Sequence, residues 1–106
     1  MININYYRTH HRVTVKGHAE SAPKGEDLVC AAVTILIRTL AAACVNAECD
    51  NRMRGVEVRL EEGDAEIKCA PTKKLHALTL LTFDNICAGF ELLAKQYPDC
   101  VAFHIF

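Results

Sequence analysis

The chain has 106 residues, about half of them apolar, with 12 basic and 13 acidic side chains. Such a length predicts one domain, residues 1–106, with enough apolar side chains for one core, and excludes a disordered chain. Lys and Arg are scattered among acids with no basic run, which argues against a nucleic-acid or membrane-surface partner.

Met1 is followed directly by "ININ", with no basic head or apolar block, so a secretion signal is not expected and a cytoplasmic location is. The six cysteines, Cys30, Cys44, Cys49, Cys69, Cys87 and Cys100, are then expected as thiols. No C-x-x-C occurs, and no His or Cys pair completes a zinc set, so no metal is expected. Five of the cysteines are expected to act as small buried hydrophobes.

Ile2, Ile4 and Tyr6 alternate with Asn3, Asn5 and Tyr7, the pattern of a half-buried strand. Arg8 to His11 reads as a polar turn, with His10 and His11 in solvent, and Val13 and Val15 resume the alternation to give a hairpin. Gly17 ends it. A stretch without period follows, marked by Ser21, Pro23 and Gly25, and reads as a loop.

From Leu28 the pattern turns helical, and Leu28, Val29, Ala32, Val33, Ile35, Leu36, Ile37 and Leu40 leave almost no polar face. A helix apolar all round is predicted to be buried on every side, in part against a second subunit. Its length raises the question of a membrane span, but Arg38 sits mid-run, at a cost of about 2.5 kcal/mol or more. The helix should fade at residues 48–51. Val56, Val58 and Leu60, then the turn Glu62-Gly63-Asp64, then Ala65, Ile67 and Cys69 predict a second hairpin. A second helix follows Pro71-Thr72, with Leu75, Leu78, Thr82, Ile86, Phe90 and Leu93 as its inner stripe, and Pro98 stops it. Val101, Phe103 and Ile105 form a closing strand. The order strand-strand-helix-strand-strand-helix-strand predicts an α+β fold with a largely antiparallel sheet and two main helices.

One stretch carries chemistry. Asp27 precedes the first helix and suits the N-cap, where a carboxylate accepts an unpaired N–H. Cys30 then falls in the first turn, where free N–H groups and the helix dipole favour a thiolate. The same donors, around Ala31, suit a developing oxyanion. His18 ends a strand and opens the loop into this helix, so the two side chains meet if the strand end lies beside the helix start. Equally, His18 is a polar loop residue and Cys30 a core thiol; sequence spacing alone does not decide.

"GHA", a loop and "GEDLVCAAVT" together resemble the signature of the ribosomal-processing cysteine proteases, the Prp family. The matching residues are Gly17, His18, Gly25, Asp27, Leu28, Val29, Cys30, Ala31, Ala32 and Val33. The resemblance implies a cysteine endopeptidase with His18 as catalytic histidine and Cys30 as nucleophile. It further implies a homodimer, and a protein substrate with an aromatic, hydrophobic N-terminal extension. That substrate is large-subunit ribosomal protein twenty-seven; a phage head protein is an alternative. Asp27 matches a family aspartate, as helix cap or as orienter of His18. Thr34 stands where the family has serine, keeping the hydroxyl. No cofactor is implied. The loop Ala19, Glu20, Ser21, Ala22, Pro23, Lys24, Gly25 and Glu26 is expected to close over a bound peptide. Rival readings are a non-catalytic, ribosome-associated or dimeric module of the same fold, and a thiol redox protein. The last lacks a resolving cysteine near Cys30 in sequence.

Overall fold

The computed structural model describes residues 1–17 and 26–106. Strand β1 (Ile2–Tyr7) and strand β2 (Arg12–Lys16) form the first hairpin, joined by a 3₁₀ turn over Arg8–His10. Helix α1 (Glu26–Cys49) is followed by strands β3 (Glu57–Glu61) and β4 (Asp64–Lys68). Helix α2 (His76–Gln96) is entered through a 3₁₀ turn at Lys73–Leu75, and strand β5 (Val101–Ile105) closes the fold. This is the α+β order expected from the sequence.

The sheet order is β3-β4-β2-β1-β5. All pairings are antiparallel except β1 with β5, which lies parallel because α2 carries the chain back across one face. Register puts Ile4, Val15, Ala65 and Leu60 in one row across four strands. That row belongs to the face on which the helices pack. Ile2, Ile4, Tyr6, Val13, Val15, Ala65 and Ile67 are buried there against Val29, Val33, Ile37, Leu40, Phe83 and Phe90. The Tyr6 and Phe83 rings stack at 6.1 Å.

One expectation about the helices is corrected, and the other is met in part. Within the single chain helix α1 is buried on one side, through Val29, Val33, Ile37, Leu40, Cys44 and Ala47, while Leu28 (67% exposed), Ile35 (63%) and Val45 face out, on the side expected to meet a second subunit. One sheet offers a helix one contact face, and a second layer to cover the other would need more chain than this. On α2 the buried residues are Thr79, Phe83, Cys87 and Phe90, with Ile86 and Leu93 half-buried and Leu78 exposed. The inner stripe is thus rotated from the expected one, because the Phe83 ring stacks on Tyr6 and fixes the helix's rotation. Both helices are long and apolar enough to cross a bilayer by length and composition. Each nevertheless buries a face against the protein's own sheet.

Helix α1 stops in a Schellman motif. Asn51 is left-handed (φ 59°), its N–H donates to Glu48 O, and the Arg52 N–H reaches back to Ala47 O at 2.7 Å. Met53, just beyond, is turned into the core.

Two further expectations fail. His11 is buried, not solvated: left-handed at φ 50°, it stands edge-on to His76 with ring centroids 4.8 Å apart. Cys49 is exposed, because it falls on the outer side of the last turn of α1, and Cys100 is only half-buried; Cys44, Cys69 and Cys87 are buried as expected.

Candidate active site

Cys30 is half-buried on α1 and lines a cavity of about 550 Å³ between that helix and the β3–β4 hairpin. One wall is helical. Cys30, Thr34 and Arg38 recur every fourth residue, so they stand in line down one side of α1, Cys30 and Arg38 about 12 Å apart along the axis. The facing wall is the hairpin, Leu60 through Ala65, with Glu61, Glu62 and Asp64 at its rim. Ile2, Val15, Val33 and Ile37 complete the apolar lining. The groove exists because α1 leaves β3 uncovered: Val58 and Leu60 are each 39% exposed on an edge strand.

Gly17 closes one end of the cavity. Its φ is +109°, and a Cβ there would lie 2.2 Å from the main-chain oxygen of Met1. Only glycine fits, on both counts. The Gly17 N–H donates to Gly63 O at 3.0 Å, so the end of β2 is tied to the hairpin turn.

Helix α1 begins at Glu26, earlier than expected, so Asp27 is the second helical residue and not the cap, and Glu26 is helical and not loop. Cys30 is therefore the fifth residue and begins the second turn. The N–H of Ala31 belongs to the helix's own ladder, directed at Asp27 O, so the unpaired donors belong to the residues before it. Helical side chains lean toward the N-terminus, which carries the Cys30 sulfur back over that first turn. Thr34 is exposed and on the cavity wall. His18 and the loop from Ala19 to Gly25 lie outside the described residues, and so does the expected closure of that loop.

Two of the buried thiols, Cys69 and Cys87, sit in surroundings that suppress ionisation. Burial and the nearby Asp84 push Cys87 up to about 12. Cys69 is pushed up by its hydrogen bond with Cys44 and by burial. Among the described residues no cluster of three or more His, Cys, Asp or Glu side chains could hold a metal ion. The hairpin wall has no signature in sequence; only the placement of β4 beside β2 brings it opposite Cys30.

Residues 1–102 match the model of a family described as cysteine protease Prp. The fold is similar to that of SMU.848 from Streptococcus mutans, with a TM-score of 0.74, 27% identity, and 99% of this chain and 91% of that one covered. It is also similar to an essential ribosomal processing protease, Prp from S. aureus, solved with a substrate peptide (TM-score 0.66, 14% identity, 99% and 97% covered). The same S. aureus protease with a covalently linked product peptide gives a TM-score of 0.65 at 16% identity, with the same coverage. No curated protein matches the chain in sequence.

Proposed function

The chain belongs to the Prp family of cysteine proteases, and from that premise we propose that it is a Cys–His endopeptidase that trims the N-terminus of a ribosomal protein. One observation carries the reading: Gly17, the residue immediately before His18, and Cys30 line the same cavity.

In this reading His18 takes the thiol proton of Cys30, and the thiolate attacks the scissile carbonyl. Main-chain N–H groups of the first turn of α1 stabilise the oxyanion. The imidazolium protonates the leaving amine, and water then frees the acyl-enzyme. The covalently linked product in the S. aureus protease accords with such a thioester route. Asp27, in the first turn, complements the positive end of the helix dipole. The apolar lining of Ile2, Val15, Ile37 and Leu60 suits an aromatic, hydrophobic peptide. The substrate is the N-terminal extension of large-subunit ribosomal protein twenty-seven, cut in the cytoplasm. Leu28, Ile35 and Val45, exposed along α1, are the surface of a homodimer.

The test is cleavage of a peptide carrying the aromatic extension, read by mass spectrometry of both products. Wild-type protein should cut once, and Cys30→Ala and His18→Ala should each abolish cleavage while still folding. A Cys30→Ala variant that cleaves, or wild-type protein that binds the peptide without cutting it, would overturn the reading in favour of a binding module.

A further inference from the structure

Between Asp27 and Glu48, helix α1 carries a single charged side chain, that of Arg38. The usual structural reasons for a helical arginine are missing. The residues three and four places away are Thr34, Ile35, Ala41 and Ala42, so no acid lies within ion-pair reach along the helix. Arg38 stands mid-helix, so it does not complement the carboxyl end of the helix dipole. Among the described residues its guanidinium has no hydrogen bond or ion pair, whereas Arg8, Arg12, Arg52 and Arg59 each hold a carboxylate. It is exposed, and it lines the cavity that holds Cys30.

We propose, resting on the protease reading of this cavity, that Arg38 is a specificity-determining residue. It receives an acceptor-bearing side chain of the substrate peptide, carboxylate before carboxamide, three or four residues from the scissile bond. A guanidinium has five N–H donors and no acceptor, stays charged, and grips a carboxylate through two parallel bonds. A carboxamide offers one oxygen and no charge, and an ammonium is repelled. Two of the acids on the facing hairpin are served by their own cation: Arg59 holds Asp64 at 2.7 Å and lies 3.8 Å from Glu61. The hairpin rim of Glu61, Glu62 and Asp64 also repels an anion, so an acidic substrate side chain is steered to the helix wall.

The position follows from helix and strand geometry. Cys30 and Arg38 both lean toward the amino end of α1, so their separation along the axis stays about 12 Å. An extended peptide advances about 3.4 Å per residue. Lying in the groove between α1 and the hairpin, with its scissile carbonyl at Cys30, it brings its third or fourth residue level with Arg38. The apolar lining beneath, Val33 and Ile37 among it, lowers the local dielectric and strengthens a pair formed over it.

The experiment uses peptides carrying the aromatic extension in which the third or fourth residue on either side of the bond is Glu, Gln or Lys. Cleavage by the wild-type protein, and binding to the Cys30→Ala protein by fluorescence anisotropy, are measured on the same set. At one of these positions Glu should be favoured over Lys by about fivefold or more in kcat/KM, with Gln between them, and the ratio should shrink as salt is added. Arg38→Lys should keep the preference, Arg38→Gln should bring the Glu-to-Lys ratio near one, and Arg38→Glu should invert it. An arginine with a purely structural role would not produce that inversion. The proposal is overturned if no position shows a Glu preference, if the ratios are the same in wild type and Arg38→Glu, or if no peptide of the set binds. The protease reading fails separately: a protein that binds the Glu peptide preferentially through Arg38 but cuts none of the set upholds the site and overturns that reading.

Discussion

Gly17 and Gly63 are joined by a main-chain hydrogen bond of 3.0 Å that ties the end of β2 to the β3–β4 turn across the mouth of the Cys30 cavity. Gly17 itself stands at φ +109°, and the Met1 carbonyl fills the space a side chain would need. Gly17→Ala should therefore destabilise the fold by roughly 1–3 kcal/mol and depress peptide cleavage further than that loss of folded protein explains. Urea unfolding beside kcat/KM at a temperature where the variant is folded checks both halves.

Limited alkylation should sort the thiols by position. Cys30 and Cys49 are the helical cysteines open to reagent, while Cys44, Cys69 and Cys87 are buried. Iodoacetamide should label Cys30 first, Cys49 next and the buried three only after unfolding. His18→Ala should slow Cys30 labelling and leave Cys49 unchanged. Peptide mapping over a time course reads the order, and a Cys49 that outpaces Cys30 would contradict the role given to Cys30.

The buried Tyr6 hydroxyl donates to Asp84 Oδ1 at 2.7 Å, and Arg8 forks onto the same carboxylate at 2.9 and 3.1 Å. The bonds fasten the first hairpin to α2. Tyr6→Phe keeps the stack on Phe83 and loses one hydrogen bond to a charged group, so it should cost about 1.5–3 kcal/mol. Chemical denaturation measures it; activity at low temperature should be retained.

His11 makes stability depend on pH in a definite direction. Burial, with His76 and His10 nearby, lowers its pKa from 6.5, and its Nε2 has no hydrogen-bond partner among the described residues. The folded protein therefore holds it neutral where the unfolded chain has begun to protonate it. The unfolded state binds more protons, so this contribution is full well above pH 6.5 and declines as pH falls through the unfolded value toward the lowered folded one. Asp84 acts in a separate, more acidic window, since its hydrogen bond from Arg8 holds the carboxyl below 3.8. Unfolding midpoints between pH 8 and 5 should fall in the wild type and fall less in His11→Gln.

The outward face of α1 gives a test of assembly. Wild-type protein should scatter light as twice the 11.8 kDa chain at micromolar concentration. Ile35→Glu, at a position 63% exposed, should shift it to monomer with little change in the far-ultraviolet spectrum. A monomeric wild type would refute the proposed dimer.

The strands were legible because their alternation is strict and their turns carry Gly63 or a polar run. The helices were legible as helices but not in their orientation. Around α1, Leu28 and Ile35 are as apolar as Val29 and Val33, so no pattern selects the face that meets the sheet. On α2 a ring stack with a strand some 80 residues away sets the rotation, which no local window contains. Cys30 stood out because its place near a helix start is a local signal, while Thr34 was marked only by the family resemblance. The opposing wall was not legible, since it depends on which strand lies beside which. The burial of His11 was not legible because a polar turn gives no sign that α2, far along the chain, begins against it.

The chain's two ends differ in what can be attached to them. β1 and β5 run parallel, so Met1 and Phe106 lie at opposite ends of the sheet. Ile2 lines the cavity and the Met1 carbonyl abuts Gly17. An affinity tag joined at Met1 would leave the protein at the rim of the cleft, where its linker becomes a tethered competitor at high local concentration and is itself open to cleavage. A tag after Phe106 emerges beside Tyr7, on whose ring Phe106 stacks, far from Cys30. Inhibition constants measured on the two fusions should therefore disagree, with the amino-terminal fusion giving the weaker apparent binding.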